Sequence, residues 1–466
     1  MDEMASETPE GANAESWGGY EQGPTAPTGG TDQGGGDRGG GDRGGPPSGG
    51  SDDPGDPSGR WTGRVRFSET HDGLPFAYRP DEVITTQGPR ALEIARRFFP
   101  RADLNEEDQV GPFFRLTGIE DPIMLVEELR LHGIVAQPNH VYFAHDSVSG
   151  NPVYGNPVYG NKAAGSRHNE PTHSSALPPE PVTDPDALES LAAVEARIRT
   201  DRVAGSPTVI VLDTGLAAPA FRPGTLGNGI TPASAADVDH PDEDNDGYLD
   251  PAAGHGTFIA GIIGQIAPGC EITLHRVLST FGDGDEWKIS KCIERLSISH
   301  PHRTILSLSF GAYVLERPHL IARTIRHVQR RGVYVVASAG NDGRSRPLFP
   351  ATLPDVLAVG ALAPTGPAPF SNFGDWVDAC APGSELRSTF FVFDGPAEVG
   401  PYGDDPDHFE GWAIWSGTSF SAPVVVGNLA RMMMADGGTT RTAVQRLIDA
   451  PTLTSVPYLG TVVDAL

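Results

Sequence analysis

The chain of 466 residues is 38 % hydrophobic and 8 % aromatic, ordinary for a globular protein, and long enough for more than one domain. Its formal net charge of −27 argues against a phosphate-binding surface and against attraction to anionic membranes, so neither nucleic acid nor membrane is an expected partner. No run approaches the roughly 18–20 apolar residues of a spanning helix. Residues 1–50 show no basic and apolar secretory signal. The cysteines Cys270, Cys292 and Cys380 are widely spaced without a CxxC, which fits free thiols in a reducing compartment. Together these features predict a cytoplasmic protein.

Residues 1–60 form a Gly-rich tail whose "GGGDRGGGDRGGPPSGG" holds too little apolar surface to offset its ordering entropy. The aspartates in it cancel its Arg charges, which weighs against RNA binding. Residues 61–146 turn globular. Strands are predicted at 81–86, 112–118 and 134–145. Helices fall at 89–99, with Pro in the first turn, and at 121–133, with an Asp cap, Pro at N1 and a Gly stop. This predicts a small α+β, ferredoxin-like sandwich. Residues 147–204 read as a linker with the tandem "GNPVYGNPVYGN" and a helix over 184–200.

From 205 to 466 strands and helices alternate. Strands are predicted at 208–213, 271–278, 303–310, 333–339 and 356–362; helices at 257–266, 286–299, 316–331, 419–435 and 440–449. The alternation predicts an α/β fold with a doubly wound, mostly parallel sheet and helices on both faces. Sites in such sheets collect at the carboxyl ends of the strands.

Four stretches fall at those ends. "VIVLDTG" puts Asp213 at the end of an apolar strand, and "GHGT" puts His255 at a helix start. "VVASAGND" puts Asn341 just past a strand, and "WSGTSFSAP" puts Ser419 at the head of a helix. Acyl transfer needs a hydroxyl nucleophile, an imidazole base, a carboxylate to orient it and donors for the oxyanion. Asp213, His255, Ser419 and Asn341 supply one of each, with the Ser419 backbone N–H as a second oxyanion donor. Each alone also reads as turn or capping chemistry; the set of four at element boundaries does not.

The blocks "VLDTG", "GHGTFIAG", "SAGN" and "GTSFSAP", in the order Asp, His, Ser, resemble the signature of the subtilisin-like serine proteases. The resemblance covers about 205–466. It implies Asp213, His255 and Ser419 as a triad, Asn341 as the oxyanion side chain, and a serine endopeptidase that needs no cofactor for its chemistry. "LSTFGDGD" resembles one substrate-lining strand, giving Ser279, Gly282, Asp283 and Gly284. "LSLSFG" resembles the other, giving Ser309, Phe310 and Gly311. A peptide substrate would bind between them as an added strand. Ser338, Ala339 and Gly340 resemble a wall of the primary specificity pocket, with room for a large apolar or aromatic side chain. Phe258 stands where the family usually has a second His, and Phe420 where Met is common. The inserted calcium loop of secreted relatives is missing after His255. The sandwich ahead of this region resembles the family's inhibitory, folding-assisting propeptide, which implies an intramolecular inhibitor released by a cut between about 143 and 205.

An acid-acting relative with Glu in place of the histidine is decided against by His255. A silent scaffold or calcium-binding module is the rival from another class. A silent scaffold would lack at least one triad member, and none is missing; the calcium-binding reading rests on "DEDNDGYLD", where Asp242, Asp244, Asp246 and Asp250 match positions 1, 3, 5 and 9 of a calcium loop. Position 12 is Ala253, which excludes a full EF-hand. A partial calcium loop and a solvated acidic turn both fit.

Overall fold

Apolar spacing and two helix signals build the first module. The computed structural model describes residues 64–70, 75–144, 179–182, 185–224, 226–227, 229–245, 247–400, 403–448 and 454–464. The Gly-rich tail and most of the predicted linker lie outside these residues. The described residues all belong to one compact unit, Gly49–Leu466. Its first elements are β1 (Arg66–Glu69), β2 (Pro75–Thr86), α1 (Gly88–Ala95), β3 (Asp103–Val110), β4 (Phe113–Thr117), α2 (Pro122–Leu131) and β5 (Ala136–Ala144). Asp121 caps α2 by accepting from Met124 N–H at 3.0 Å. The strands pair antiparallel in the order β5-β2-β4-β3, a split β-α-β arrangement. Val83, Ala91, Leu116, Leu125 and Leu129 fill the space between sheet and helices.

After α3 (Pro185–Ile198) come β6 (Thr208–Asp213), α4 (His255–Ile266), β7 (Glu271–Arg276), β8 (Asp283–Asp285) and α5 (Glu286–Arg295). They are followed by β9 (Thr304–Leu308), β10 (Phe310–Gly311), α6 (His319–Arg331), β11 (Tyr334–Ser338), β12 (Val356–Ala363) and β13 (Ala379–Pro382). The segments TVIVLD, TILSL and YVVAS carry almost no polar interruption, as strands covered on both faces require. The parallel order is β13-β12-β11-β9-β6-β7, with Ile230–Pro232 outside β7 and Gly460–Val462 outside β13. The chain winds from β6 to β7 and then back across β6 to β9. That reversal opens a crevice at the carboxyl ends of β6 and β9, the usual ligand position in such sheets.

The strands β14 (Leu386–Gly400) and β15 (Gly403–Trp415) lead into α7 (Thr418–Asp436) and α8 (Thr440–Leu447). β14 and β15 pair antiparallel, with register shifts between Thr389 and Val392 and between Asp394 and Ala397. Phe390, Phe391, Phe409, Trp412 and Trp415 from this hairpin are buried against α4 and α7 in the largest core. α4 is buried nearly all round, and its HGTFIAGIIGQI sequence is apolar all round to match.

Sequence patterning missed β3 and the β14–β15 hairpin. β3 is an acid-rich edge strand with no alternation to read, and Gly395 and Pro396 interrupt the hairpin's pattern. α6 begins at His319 rather than 316 because Pro318 keeps the preceding residue out of the helical region.

β5 belongs to two neighbourhoods. On one edge it pairs antiparallel with β8; on the other it pairs with β2 through residues 136–140 and then, at Phe143 and Ala144, with β10. Its side chains also cap two helices of the second region. Asn139 Oδ1 accepts from Trp287 N–H at 3.1 Å, and Gln137 Oε1 accepts from His319 N–H at 2.7 Å. Buried Glu286 joins them, accepting from Gln137 at 2.7 Å and Ile321 N–H at 3.0 Å, and pairing with His140 at 2.9 Å. Such caps satisfy helix N–H groups that have no intrahelical partner.

The hairpin is core rather than ornament, so Phe390→Ala is expected to cost about 3–5 kcal/mol in denaturant unfolding, against about 0.5 kcal/mol for half-exposed Val392→Ala. Equal effects of the two would contradict this packing.

Candidate active site

Asp213 closes β6, and His255 opens α4. His255 Nδ1 lies 2.8 Å from Asp213 Oδ1, and both side chains are fully buried. Asp213 Oδ1 also accepts from Thr214 N–H at 2.8 Å. This pairing fixes the ring orientation and places the Nδ1 proton on the Asp213 side, leaving Nε2 as the imidazole's basic end.

The two segments are bolted together by a residue that sequence reading did not single out. Asp239 Oδ2 accepts from the Thr214 hydroxyl at 2.6 Å and from Gly254 N–H at 2.9 Å. Thr214 Oγ1 in turn accepts from Gly256 N–H at 3.1 Å. The approach is close enough to require glycine. A Cβ on Gly256 would stand 2.4 Å from the Gly215 carbonyl oxygen. Gly254 adopts φ 82°, and a Cβ there would meet Phe390 at 2.2 Å. Burial pushes the Asp239 carboxyl up to about 7, with the Thr214 and Gly254 hydrogen bonds opposing the rise.

Aromatic rings wall the imidazole. Trp415 meets the His255 ring edge-on at 5.5 Å, and Phe420 lies 5.2 Å away. Phe258, one turn along α4, packs 4.6 Å from Phe420 and 5.7 Å from Trp415. The two phenylalanines at positions that differ from the family pattern therefore pack against each other, with their rings tilted by 55°.

Ser419 lies in the first turn of α7 and is fully buried. Its hydroxyl donates to the Ser309 carbonyl at 3.3 Å, while the Ser309 hydroxyl donates to the Ser419 carbonyl at 2.9 Å. Asn341 follows β11. Its Oδ1 accepts from both Thr418 N–H, at 2.9 Å, and the Thr418 hydroxyl, at 2.8 Å. Two donors on one oxygen hold the amide in a single orientation and turn its NH2 end away from Thr418. Gly340 N–H donates to Thr418 Oγ1 at 3.0 Å, tying Ser338, Ala339 and Gly340 to the head of α7.

The two predicted substrate strands flank the end of β5. Asp283, Gly284 and Asp285 stand opposite Phe143, Tyr142 and Val141; Phe310 and Gly311 stand opposite Ala144 and Phe143. Ala144 N–H donates to the Gly282 carbonyl at 2.8 Å, and Ser279 N–H to the Asp283 carbonyl at 2.9 Å. Tyr142 packs edge-on to Phe310 at 6.0 Å and is fully buried in the second region's core. The residues between these strands are thus the last of β5 itself.

In the acidic loop, carboxylate oxygens of Asp242, Asp244 and Asp250 lie within 4.8 Å of one another. Asp246 falls outside the described residues. Asp250 Oδ2 accepts from Glu243 N–H at 2.8 Å and the Thr280 hydroxyl at 2.6 Å, stapling the loop to the segment that leads into β8. Glu243 is held by Arg276 at 2.6 Å. The donor set is all hard oxygen, which suits calcium, but three carboxylates fall short of its usual six to eight ligands. All three cysteines are free thiols, and burial pushes each up to about 12.

With a folded-state pKa near 7 against about 3.9 in the unfolded chain, Asp239 holds its proton in the fold between those values. Its contribution to stability is full below about pH 4 and lost as pH rises through 7, at up to about 1.4 kcal/mol per pH unit. Asp239→Asn is expected to flatten that fall in urea melts taken from pH 4 to 8; an unchanged slope would contradict a protonated Asp239.

A family model described as the subtilase family matches residues 205–453. Thermophilic serine proteinase of Bacillus sp. (strain AK1) is 30 % identical over 226 residues, 44 % of this chain and 51 % of that protein. Minor extracellular protease Epr of Bacillus subtilis (strain 168) is 32 % identical over 149 residues, 29 % of this chain and 22 % of that one. Thermitase of Thermoactinomyces vulgaris is 28 % identical over 220 residues, 44 % of this chain and 71 % of that protein. The chain spans about half the length of the first of these and less of the second. Among the described residues no helix is long and apolar enough to cross a membrane. The name of one relative is that of an extracellular enzyme, so the cytoplasmic expectation gains no support.

Proposed function

The chain belongs to the subtilase family, and from that premise we propose that it is a serine endopeptidase made as a self-processing zymogen. The observation that carries this reading is the fully buried 2.8 Å contact between His255 Nδ1 and Asp213. Phe420, the neighbour of Ser419 in α7, packs 5.2 Å from the His255 ring, and Thr418 on the other side of Ser419 holds Asn341. Ser419 Oγ attacks the scissile carbonyl while His255 Nε2 takes its proton and then returns it to the leaving amine. Asp213 holds the imidazole tautomer. The Asn341 amide and the Ser419 backbone N–H receive the developing oxyanion. Water then hydrolyses the acyl-enzyme by the same proton route. Before attack the Ser419 hydroxyl turns from the Ser309 carbonyl toward His255, a rotation that substrate binding favours in sites of this kind.

The zymogen part rests on the strand that fills the cleft. Residues 141–144 pair with both β8 and β10, the place a peptide substrate takes by strand addition. Residues 61–146 are therefore the intramolecular inhibitor, and a cut downstream of Ala144 and before β6 frees the cleft. The chemistry needs no cofactor. Calcium, if the acidic loop takes it, acts on stability through Asp242, Asp244 and Asp250. Millimolar calcium is then expected to raise the melting temperature, and no shift removes the site.

Purified wild type is compared with Ser419→Ala by gel and intact mass. Wild type is expected to shorten itself, cleave casein and react with a fluorophosphonate, while Ser419→Ala stays full length. A wild type inert in all three assays ends the protease reading, and equal shortening of both proteins ends self-processing. Because an imidazole must be neutral to accept the serine proton, activity falls on acidification below about pH 6. A flat rate from pH 8 to pH 5 would contradict His255 as the base.

A further inference from the structure

Asp283 begins β8, and its carboxylate is completely buried. A buried carboxylate needs cationic or hydrogen-bonding partners, and three come to it. Arg64 Nη2 donates to Oδ1 at 2.7 Å, and the Ser279 hydroxyl donates to the same oxygen. Arg79 Nη1 lies 2.9 Å from Oδ2, an ionic contact off the hydrogen-bond line. The Arg64 guanidinium also sits over the Phe281 ring, 5.4 Å from its centroid. Ser279, Phe281 and Asp283 thus form a cation seat in the catalytic region, built of a hydroxyl, an aromatic face and a carboxylate. Both cations now at it belong to the N-terminal module.

The register says what could replace them. Asp283 stands directly opposite Phe143 in an antiparallel pair, and opposed residues project to the same face of the sheet. On that face Phe143 packs with Val65, Ala77, Val141 and Phe281. Tyr142 projects to the other face, into the core beside Phe310, and pins the register. A residue in the place of Phe143 therefore has its side chain beside the Asp283 carboxylate and the Phe281 ring. Asp285 is also paired with Arg79, at 3.6 Å, but its Oδ1 caps α5 by accepting from Lys288 N–H at 2.9 Å, a partner that stays when the module leaves.

We propose that this seat is a charge selector for substrates. Once the module leaves with Arg64 and Arg79, it takes a Lys or Arg side chain from the substrate residue opposite Asp283 and rejects Asp or Glu there. This rests on the protease reading of the preceding subsection. With the module gone, the hydrogen-bond donor left to Asp283 among the described residues is the Ser279 hydroxyl, with the Lys288 ammonium as a neighbouring charge. A long basic side chain restores its counter-charge while its stem covers Phe281.

The test uses processed wild-type enzyme and end-blocked peptides copying residues 138–149, with Lys, Gln or Glu in place of Phe143. At low salt kcat/KM is expected to favour the Lys peptide about tenfold over Glu and about threefold over Gln, with the spread shrinking at high salt. Asp283→Asn should cleave all three alike, and Asp283→Lys should favour the Glu peptide. Should these variants fail to mature, the wild-type salt series decides the matter alone. Equal wild-type rates on the three peptides overturn the selector and leave the protease standing. No cleavage of any peptide, together with no fluorophosphonate labelling, overturns both.

Discussion

The contact between Asp213 and His255 is buried on every side, and much of the C-terminal region serves to keep it so. An ion-pairing group taken out of water holds its geometry only where neighbours satisfy its remaining polar atoms and pack its apolar ones. Thr214 N–H gives Asp213 a second hydrogen bond and Asp239 ties Thr214 to Gly254, while Trp415 and Phe420 pack the imidazole, with Phe258 against both. The long β14–β15 hairpin has its place in this scheme. Its Phe390 lies where any side chain on Gly254 would stand, so the hairpin and the His255 segment fit only as a pair.

The fold and site were legible in the sequence to different depths. The central sheet announced itself because strands covered on both faces need unbroken apolar runs, and those runs end where Asp213 and Asn341 stand. The four chemical blocks are local, each a few residues at a strand end or helix start, and so survive reading in one dimension. Asp239 is the opposite case. Its role depends on Thr214 and Gly254 converging on it from distant segments, and "VDHPD" looks like any acidic turn. β3 was invisible because an edge strand facing water carries no alternation. The acidic loop showed a calcium spacing in sequence, but the hydrogen bond by which Asp250 staples the loop to Thr280 joins segments thirty residues apart and has no local signal.

The N-terminal module meets the rest of the chain through the same physics that builds the molecule. Strand edges want hydrogen-bond partners, and β8 and β10 find them on β5. Helix starts want acceptors, and α5 and α6 find them in Asn139 and Gln137. Neutral amides take those caps, while the charged contacts lie at Asp283, Glu286 and Asp108. At Asp108, Lys291 and the Trp287 indole N–H converge, the latter at 3.1 Å.

That β5 is covalently continuous with the strands it flanks also changes how the cleft responds to dilution. A segment tethered to its own site is present at an effective concentration in the millimolar range, whatever the protein concentration. While the tether is whole, occupancy of the cleft is a property of one molecule, and free peptides compete poorly. Once it is severed, the same contacts become a bimolecular equilibrium governed by mass action. A single hydrolysed bond thus turns a fixed constraint into a concentration-dependent one, with no change in any contact between β5 and its partners.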